Sequence, residues 1–179
     1  MSSEPDHPLS YTIPVKTLPV GGRTVTLDAT KEECAVLARD FALIDCGRLS
    51  ATFQISPAGG PLISVRGRIS ADVTQECSVT LKPVANTVNA EFVEIFTLDP
   101  EKTAREVEID VNDTDPPEPI IGDEIDLGAL ASEHLALNLD PYPRGPDAQF
   151  LDTVAEANGV GNTVSGPFAA LQVLKTGEN

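Results

Sequence analysis

The chain contains no tryptophan, and its aromatic residues amount to only 4% of 179 positions. Apolar residues of all kinds amount to 41%, so material for a hydrophobic core is available. Valine, leucine, isoleucine and alanine must build most of that core. The length suits one domain with tails, and 15 prolines and 13 glycines predict frequent turns.

Basic residues are scarce: 12 lysines and arginines stand against 28 acidic residues, giving a net charge of −16. Most of the excess lies in residues 91–140, the acidic segment, which holds 15 acidic and two basic residues. Tight binding to naked nucleic acid requires clustered lysine and arginine, so we expect no DNA binding and leave direct rRNA contact open. An acidic segment instead attracts basic partners, and salt weakens that attraction.

Cysteine and histidine are also sparse. The odd set Cys34, Cys46 and Cys77 argues against a disulfide framework and fits a reducing compartment. No C-x-x-C or H-x₃-H pair and no phosphate-cradling glycine-rich loop occurs in the sequence. We therefore expect no metal, no cofactor and no catalytic residue.

The first residues, MSSEPDHPLS, lack the basic and apolar regions of a signal peptide, and they are acidic where a transit peptide is rich in arginine. No apolar run approaches membrane-spanning length. These features predict a cytoplasmic protein that does not contact membranes.

Alternating apolar residues predict two short strands, in YTIPVKTLP and GGRTVTLDAT, followed by three longer ones. The longer strands are CGRLSATFQI, LISVRGRISADVTQEC and TVNAEFVEIFTL, and the turn SPAGGP makes the first two a hairpin. A capping box of Thr30 and Glu33 predicts a helix over residues 31–44 between the short and the long strands. Its predicted inward stripe is Cys34, Leu37, Ala38, Phe41 and Ile44.

The later part of the chain predicts an acidic, proline-rich loop over about 100–124 and a helix in IDLGALASEHLALNL. The residues expected to pack from that helix are Leu127, Leu130, Ala131, Leu135 and Leu137. We expect a disordered start over 1–10, an α+β domain over 11–140, a flexible linker over 141–166 and a short terminal helix over 167–175. The domain would be an antiparallel sheet, able to curl into a partial barrel, packed with one helix from the N-terminal half and C-terminal helices.

Cys77, in QECSVTLKP, permits two interpretations. In the alternating pattern of the preceding strand, Cys77 falls at an inward position, which favours a buried packing residue. A cysteine nucleophile would need a base, and the two histidines are His7, in the start, and His134, in the second helix. No local feature favours that pairing, so packing is the preferred interpretation.

Three arginines on neighbouring strands alternate with the inward positions and are therefore predicted to face solvent: Arg48, Arg66 and Arg68. They could form a basic patch for rRNA phosphates, or they could be a solvated face paired with Asp72 and Glu76. Three arginines contribute little binding against so acidic a background, which favours the second interpretation.

Several stretches in sequence order resemble the YceD family of large ribosomal RNA subunit accumulation proteins, in particular an alphaproteobacterial member. They are QECSVTLKPV, the acidic loop, the leucine-rich helix ending in DPYPRGP, and the terminal PFAALQVLK. The resemblance covers roughly residues 20–175 and implies a role in large-subunit rRNA accumulation without an established enzymatic activity. Many relatives have a second cysteine where this chain has Thr80, and this departure removes support for a metal site.

We therefore expect a non-enzymatic factor of large ribosomal subunit assembly that binds a basic ribosomal protein or an assembly intermediate. The expected contacts are acidic residues of the loop, the stiff DPYPRGP stretch and the apolar stripe of the terminal helix. These residues are Glu106, Glu108, Asp110, Asp113, Asp115, Tyr142, Arg144, Phe168, Leu171 and Leu174. The alternative is an acidic protein-interaction adaptor without a ribosomal role.

Overall fold

The structure is a computed structural model that describes residues 9–99 and 116–148. The strands in chain order are β1 (Thr12–Pro14), β2 (Arg23–Asp28), β3 (Asp45–Gly59), β4 (Leu62–Glu76), β5 (Pro83–Thr97), β6 (Glu118–Pro119) and β7 (Glu124–Asp126). Helix α1 (Lys31–Asp40) lies between β2 and β3, and helix α2 (Leu127–Leu137) follows β7. The predicted α+β class is confirmed.

Five strands form one open sheet in the order β2-β3-β4-β5-β6, while β1 and β7 pair separately. All neighbours in the large sheet are antiparallel except β5 and β6, which are parallel. The predicted hairpin is β3–β4. Because β2 and β6 are edges and do not pair with each other, the sheet is not closed into a barrel.

The buried face of the sheet is aliphatic, as the composition predicts. On β3 the buried residues are Leu49, Ala51, Phe53 and Ile55, and on β4 they include Val65, Ile69, Ala71 and Val73. Their period of two places them on one face, and each large side chain buried this way contributes on the order of 2 kcal/mol. The predicted inward residues of β3 and β4 are therefore confirmed.

Helix α1 begins at the predicted capping box but ends earlier than predicted. The Glu33 amide donates to Thr30 Oγ1 at 3.2 Å, and the Thr30 amide donates to Glu33 Oε2 at 2.7 Å. The helix ends at Asp40 because Ala42 adopts a φ of 52° and turns the chain toward β3. Ile44 then donates its amide to Thr74 O and is 50% exposed, so its predicted place on the inward stripe is wrong.

Helix α2 packs through Leu127, Leu130, Ala131 and Leu135, as predicted, whereas Leu137 is 69% exposed. Leu137 is the last residue of the helix. Gly128 is required by a close approach, since a Cβ there would come within 2.5 Å of Leu9 O. Leu9 itself is buried and belongs to the hydrophobic core.

Candidate partner-binding site

The described parts of the acidic segment, residues 91–99 and 116–140, contain nine acidic residues and no lysine or arginine. Some of these acids stabilise the fold. Asp126 caps helix α2 through the amides of Gly128 and Ala129, and Asp123 forms an ion pair with Lys16. Three others, Glu94, Glu118 and Glu133, belong to the candidate site.

Glu94 and His134 form a shielded pair between β5 and α2. Glu94 Oε1 lies 2.5 Å from His134 Nε2, and the two side chains are 21% and 13% exposed. The imidazole stacks on the ring of Phe92 with 3.4 Å between ring centroids and 10° between planes. The second carboxylate oxygen of Glu94, Oε2, is buried without a hydrogen-bond partner.

Glu118 on β6 adds a second carboxylate to this pair. Burial, together with the charges of Glu94 and Glu133, raises the pKa of Glu118, and His134 acts in the opposite direction. Burial is the largest of these causes, and the two neighbouring carboxylate charges add to it. We call Glu94, Glu118, Glu133 and His134 the edge cluster.

The arginines of the exposed sheet face are largely paired within the fold. Arg48 Nε lies 3.1 Å from Asp72 Oδ2, and Arg68 Nη2 lies 2.6 Å from Glu91 Oε1. The Arg48 side chain, then the Thr87 hydroxyl, lower the pKa of Asp72 through hydrogen bonds. Glu91 is the partner of Arg68 because the strand register places the two residues opposite each other. This favours the solvated-face interpretation, with Glu91 in the role expected of Glu76.

Cys77 is fully buried, as its parity predicts. It begins a tight turn in which the Leu81 amide donates to Cys77 O at 3.0 Å. Hydrogen bonds from the Thr80 side chain, and from the backbone amides of Gly145, Thr80 and Val79, lower the pKa of Cys77 to about 6 against the opposing effect of burial. The sulfur therefore accepts hydrogen bonds in addition to filling space.

The same turn holds the DPYPRGP stretch, residues 140–146. Ser78 donates its amide to Pro143 O at 2.8 Å and its hydroxyl to the same oxygen at 3.2 Å. Gln75 Nε2 donates to Asp140 O at 2.9 Å. This arrangement leaves Tyr142 71% exposed and Arg144 exposed beside the Cys77 turn.

Of the ten residues predicted to bind a partner, Tyr142 and Arg144 are described and lie together on the surface. The other eight lie outside the described residues, namely Glu106, Glu108, Asp110, Asp113, Asp115, Phe168, Leu171 and Leu174. The prediction missed the edge cluster. A signal was present, because Glu94 is a charged residue at an inward position of β5, in line with Val88, Ala90 and Phe92.

Among residues 9–99 and 116–148, no group of three histidine, cysteine or acidic side chains is placed to hold a metal ion. No helix in the same ranges is long and apolar enough to cross a membrane.

Comparison with known proteins identifies one family. The model of the family described as "Large ribosomal RNA subunit accumulation protein YceD" matches residues 65–175, which is more than half of the chain. The match includes β4 from Val65 onward, β5, the acidic segment, the Cys77 turn and the edge cluster. No curated protein and no solved structure matches the chain significantly.

Proposed function

Because the chain belongs to the YceD family of large ribosomal RNA subunit accumulation proteins, we propose that it supports large-subunit rRNA accumulation by binding a basic protein partner. The partner would be a basic ribosomal protein or an assembly intermediate that carries one. In this proposal the protein is a binding factor and catalyses no reaction.

The observation that carries the proposal is the unbalanced charge of the acidic segment. Its described parts contain nine acidic residues without a lysine or arginine, and burial, followed by repulsion from the carboxylates of Glu94 and Glu133, raises the pKa of Glu118. A basic partner would relieve this repulsion, which favours association and speeds the encounter. The exposed Tyr142 would add the aromatic contact that such interfaces favour.

Ribosome assembly would explain why the partner is held by charge. Basic ribosomal proteins are destined for rRNA, whose phosphates present a higher density of negative charge than any protein surface. A partner held by carboxylates can therefore be transferred when rRNA competes for the same lysines and arginines. Protection before transfer, followed by release to rRNA, is the mechanism that we propose.

The test is a pull-down of the tagged full-length protein from cells at about 50 mM and about 500 mM NaCl, with rRNA and proteins quantified. We expect large-subunit rRNA or one of its basic proteins at low salt and its loss at high salt. A variant with five charge reversals should lose the same component: Glu106→Lys, Glu108→Lys, Asp110→Lys, Asp113→Lys and Asp115→Lys.

A matched control distinguishes the effect of charge in the acidic segment from the effect of the protein's net charge alone. It carries five reversals outside the acidic segment: Glu4→Lys, Asp6→Lys, Asp152→Lys, Glu156→Lys and Glu178→Lys. Retention of the partner by the control, together with loss in the first variant, supports the proposal. Equal recovery from both variants and from the unaltered protein would overturn the proposed role of the segment. Recovery of proteins without any ribosomal component would favour the adaptor alternative.

A further inference from the structure

Among the described residues, strand β5 is paired along most of its length on one side only. It pairs with β4 over all of residues 83–97, but β6 covers its other side only at Phe96 and Thr97. Within the ranges 9–99 and 116–148, no other strand pairs with that side. Residues 85, 87, 89, 91 and 93 along this edge are exposed.

The backbone groups that point out of this edge can be identified from their neighbours. Thr97 O accepts from the Ile120 amide at 3.0 Å, on the β6 side, whereas the Leu98 amide donates to Pro61 O at 2.9 Å, toward β4. Because both backbone groups of a residue in an antiparallel strand point to the same side, odd-numbered residues of β5 face the open edge. The Thr87 amide fits this pattern, since it is capped by its neighbour Asn86.

Within residues 9–99 and 116–148 the edge has few of the features that keep a natural edge from pairing with another strand. Lysines, prolines and bulges are among those features. Strand β5 has no lysine, and its only proline is its first residue. Its register with β4 runs unbroken from Glu76–Pro83 to Leu62–Thr97, whereas the β3–β4 pairing is irregular at two places. Such an edge is a template for an added strand.

The charge beside the edge selects the partner. The only charged residues of β5 are Glu91, which is paired with Arg68, and Glu94. Glu94 Oε2 has no hydrogen-bond partner, and Glu118 and Glu133 add negative charge from β6 and α2. A strand placed along the edge would bring alternate side chains close to these carboxylates, where lysine or arginine would be favoured.

From this edge and its charge we infer that β5 binds an extended basic polypeptide segment as an added β-strand along residues 85–95. This inference rests on the proposed function and specifies how the basic partner is held. Backbone pairing would supply affinity for many sequences, and the carboxylates of Glu94 and Glu118 would select for positive charge. The segment could span about ten residues before it met β6.

The test uses two peptides of equal charge with the full-length protein. One alternates lysine and valine over ten residues, and the other replaces every second valine with proline, which cannot continue a ladder. Amide hydrogen exchange is measured residue by residue. We expect the first peptide to protect the edge amides of Asn89, Glu91 and Val93, and the second to leave their exchange unchanged.

Variants of the protein refine the test. Val93→Pro removes one outward-facing amide and should weaken the lysine–valine peptide about tenfold or more, whereas Val93→Thr keeps the amide and should change binding less than about twofold. The double variant Glu94→Gln, Glu118→Gln should weaken binding roughly three- to tenfold. The peptide comparison in the unaltered protein stays decisive if Val93→Pro fails to fold.

Equal binding of both peptides, or protection away from β5, would overturn the inference. The proposed function would then still stand if the pull-down recovered a ribosomal component that depends on the acidic segment. Conversely, edge protection by the lysine–valine peptide without any ribosomal component in the pull-down would support the strand site and contradict the ribosomal role.

Discussion

At the scale of single residues, Cys77 combines complete burial with hydrogen bonds to its sulfur. Its pKa is lowered from 9.0 to about 6, first by the Thr80 side chain and then by backbone amides. The folded state therefore favours the thiolate, whereas the unfolded chain keeps the thiol until a higher pH. Folding and thiol ionisation are consequently linked.

We predict that this linkage appears as pH-dependent stability. Between pH 6 and 9 the unfolded chain binds more protons at Cys77, so its contribution rises with pH, is complete above pH 9 and is lost as the pH falls through about 6. The measurement is the urea midpoint of the native protein and of Cys77→Val across this window. The difference between them should grow with pH. The contributions of groups other than Cys77 are common to both proteins and cancel.

The ring of Phe92 leaves no room for a side chain at position 67. A Cβ at Gly67 would lie 2.1 Å from Phe92 Cζ, so Gly67→Ala must displace a ring that also stacks on His134. We predict a loss of about 1–3 kcal/mol in the free energy of unfolding, the range for overpacking. Gly21→Ala is the control, because nothing lies within 4 Å of a Cβ added there and the φ of Gly21 lies outside the left-handed region. Similar urea midpoints for both variants would contradict the prediction.

At the scale of elements, Asp126 joins helix α2 to the beginning of the described chain. Its carboxylate accepts from the amides of Gly128 and Ala129, from the Tyr11 amide at 2.8 Å and from Ser10 Oγ at 2.8 Å. One side chain thus caps the helix and anchors the segment that leads into β1. Pairing of β1 with β7 depends on both attachments.

We predict that Asp126→Ala costs about 2 kcal/mol, since it removes an N-cap and leaves a second set of donors without their acceptor. Amide exchange of residues 11–13 should accelerate at the same time, because β1 loses its anchor. Glu124→Ala, an exposed acid on β7, is the matched control and should change stability by less than about 0.5 kcal/mol. An unchanged exchange rate of β1 in Asp126→Ala would show that the anchor is unnecessary.

The elements differ in how far sequence could predict them. Strands β3, β4 and β5 follow from strict alternation, because one face is buried and the other is exposed. The end of α1 was missed because Phe41 and Ile44 continue the apolar period beyond the residue at which the backbone turns. Pairing of β1 with β7 could not be predicted, since three-residue strands far apart in sequence carry no local signal.

At the scale of the whole molecule, the net charge of −16 opposes folding and favours binding of a basic partner. Salt changes binding and stability in opposite directions, since it weakens binding and raises stability. Screening weakens attraction to the partner and also weakens repulsion between carboxylates within the fold. Salt therefore distinguishes stability from binding.

We predict that the isolated protein becomes more stable as NaCl is raised from about 10 to about 500 mM, by roughly a few degrees in Tm. Differential scanning calorimetry measures this change. The five-reversal variant of the acidic segment should show a smaller gain, because fewer carboxylates remain to be screened. A Tm that falls with salt would indicate that ion pairs such as Arg68–Glu91 outweigh the repulsion.

The candidate site was predictable in its charge and not in its geometry. Composition identifies the acidic segment, and the inward position of Glu94 marks one member of the edge cluster. The contact between the Cys77 turn and residues 140–145 could not be predicted, since it uses the Pro143 carbonyl and the Gly145 amide. Backbone groups of this kind are present in every residue, so no residue type encodes the contact.

The pairing of β1 with β7 has a consequence for how the protein is made. The hydrogen bond between Ser10 and Asp126 spans 116 positions, and it joins a segment made early to one made late. During translation, β2, β3, β4 and β5 can pair as they emerge, but β1 must wait for β7 and α2. The nascent chain therefore keeps the apolar residues Leu9 and Ile13 without their final partners until the second helix has left the ribosome.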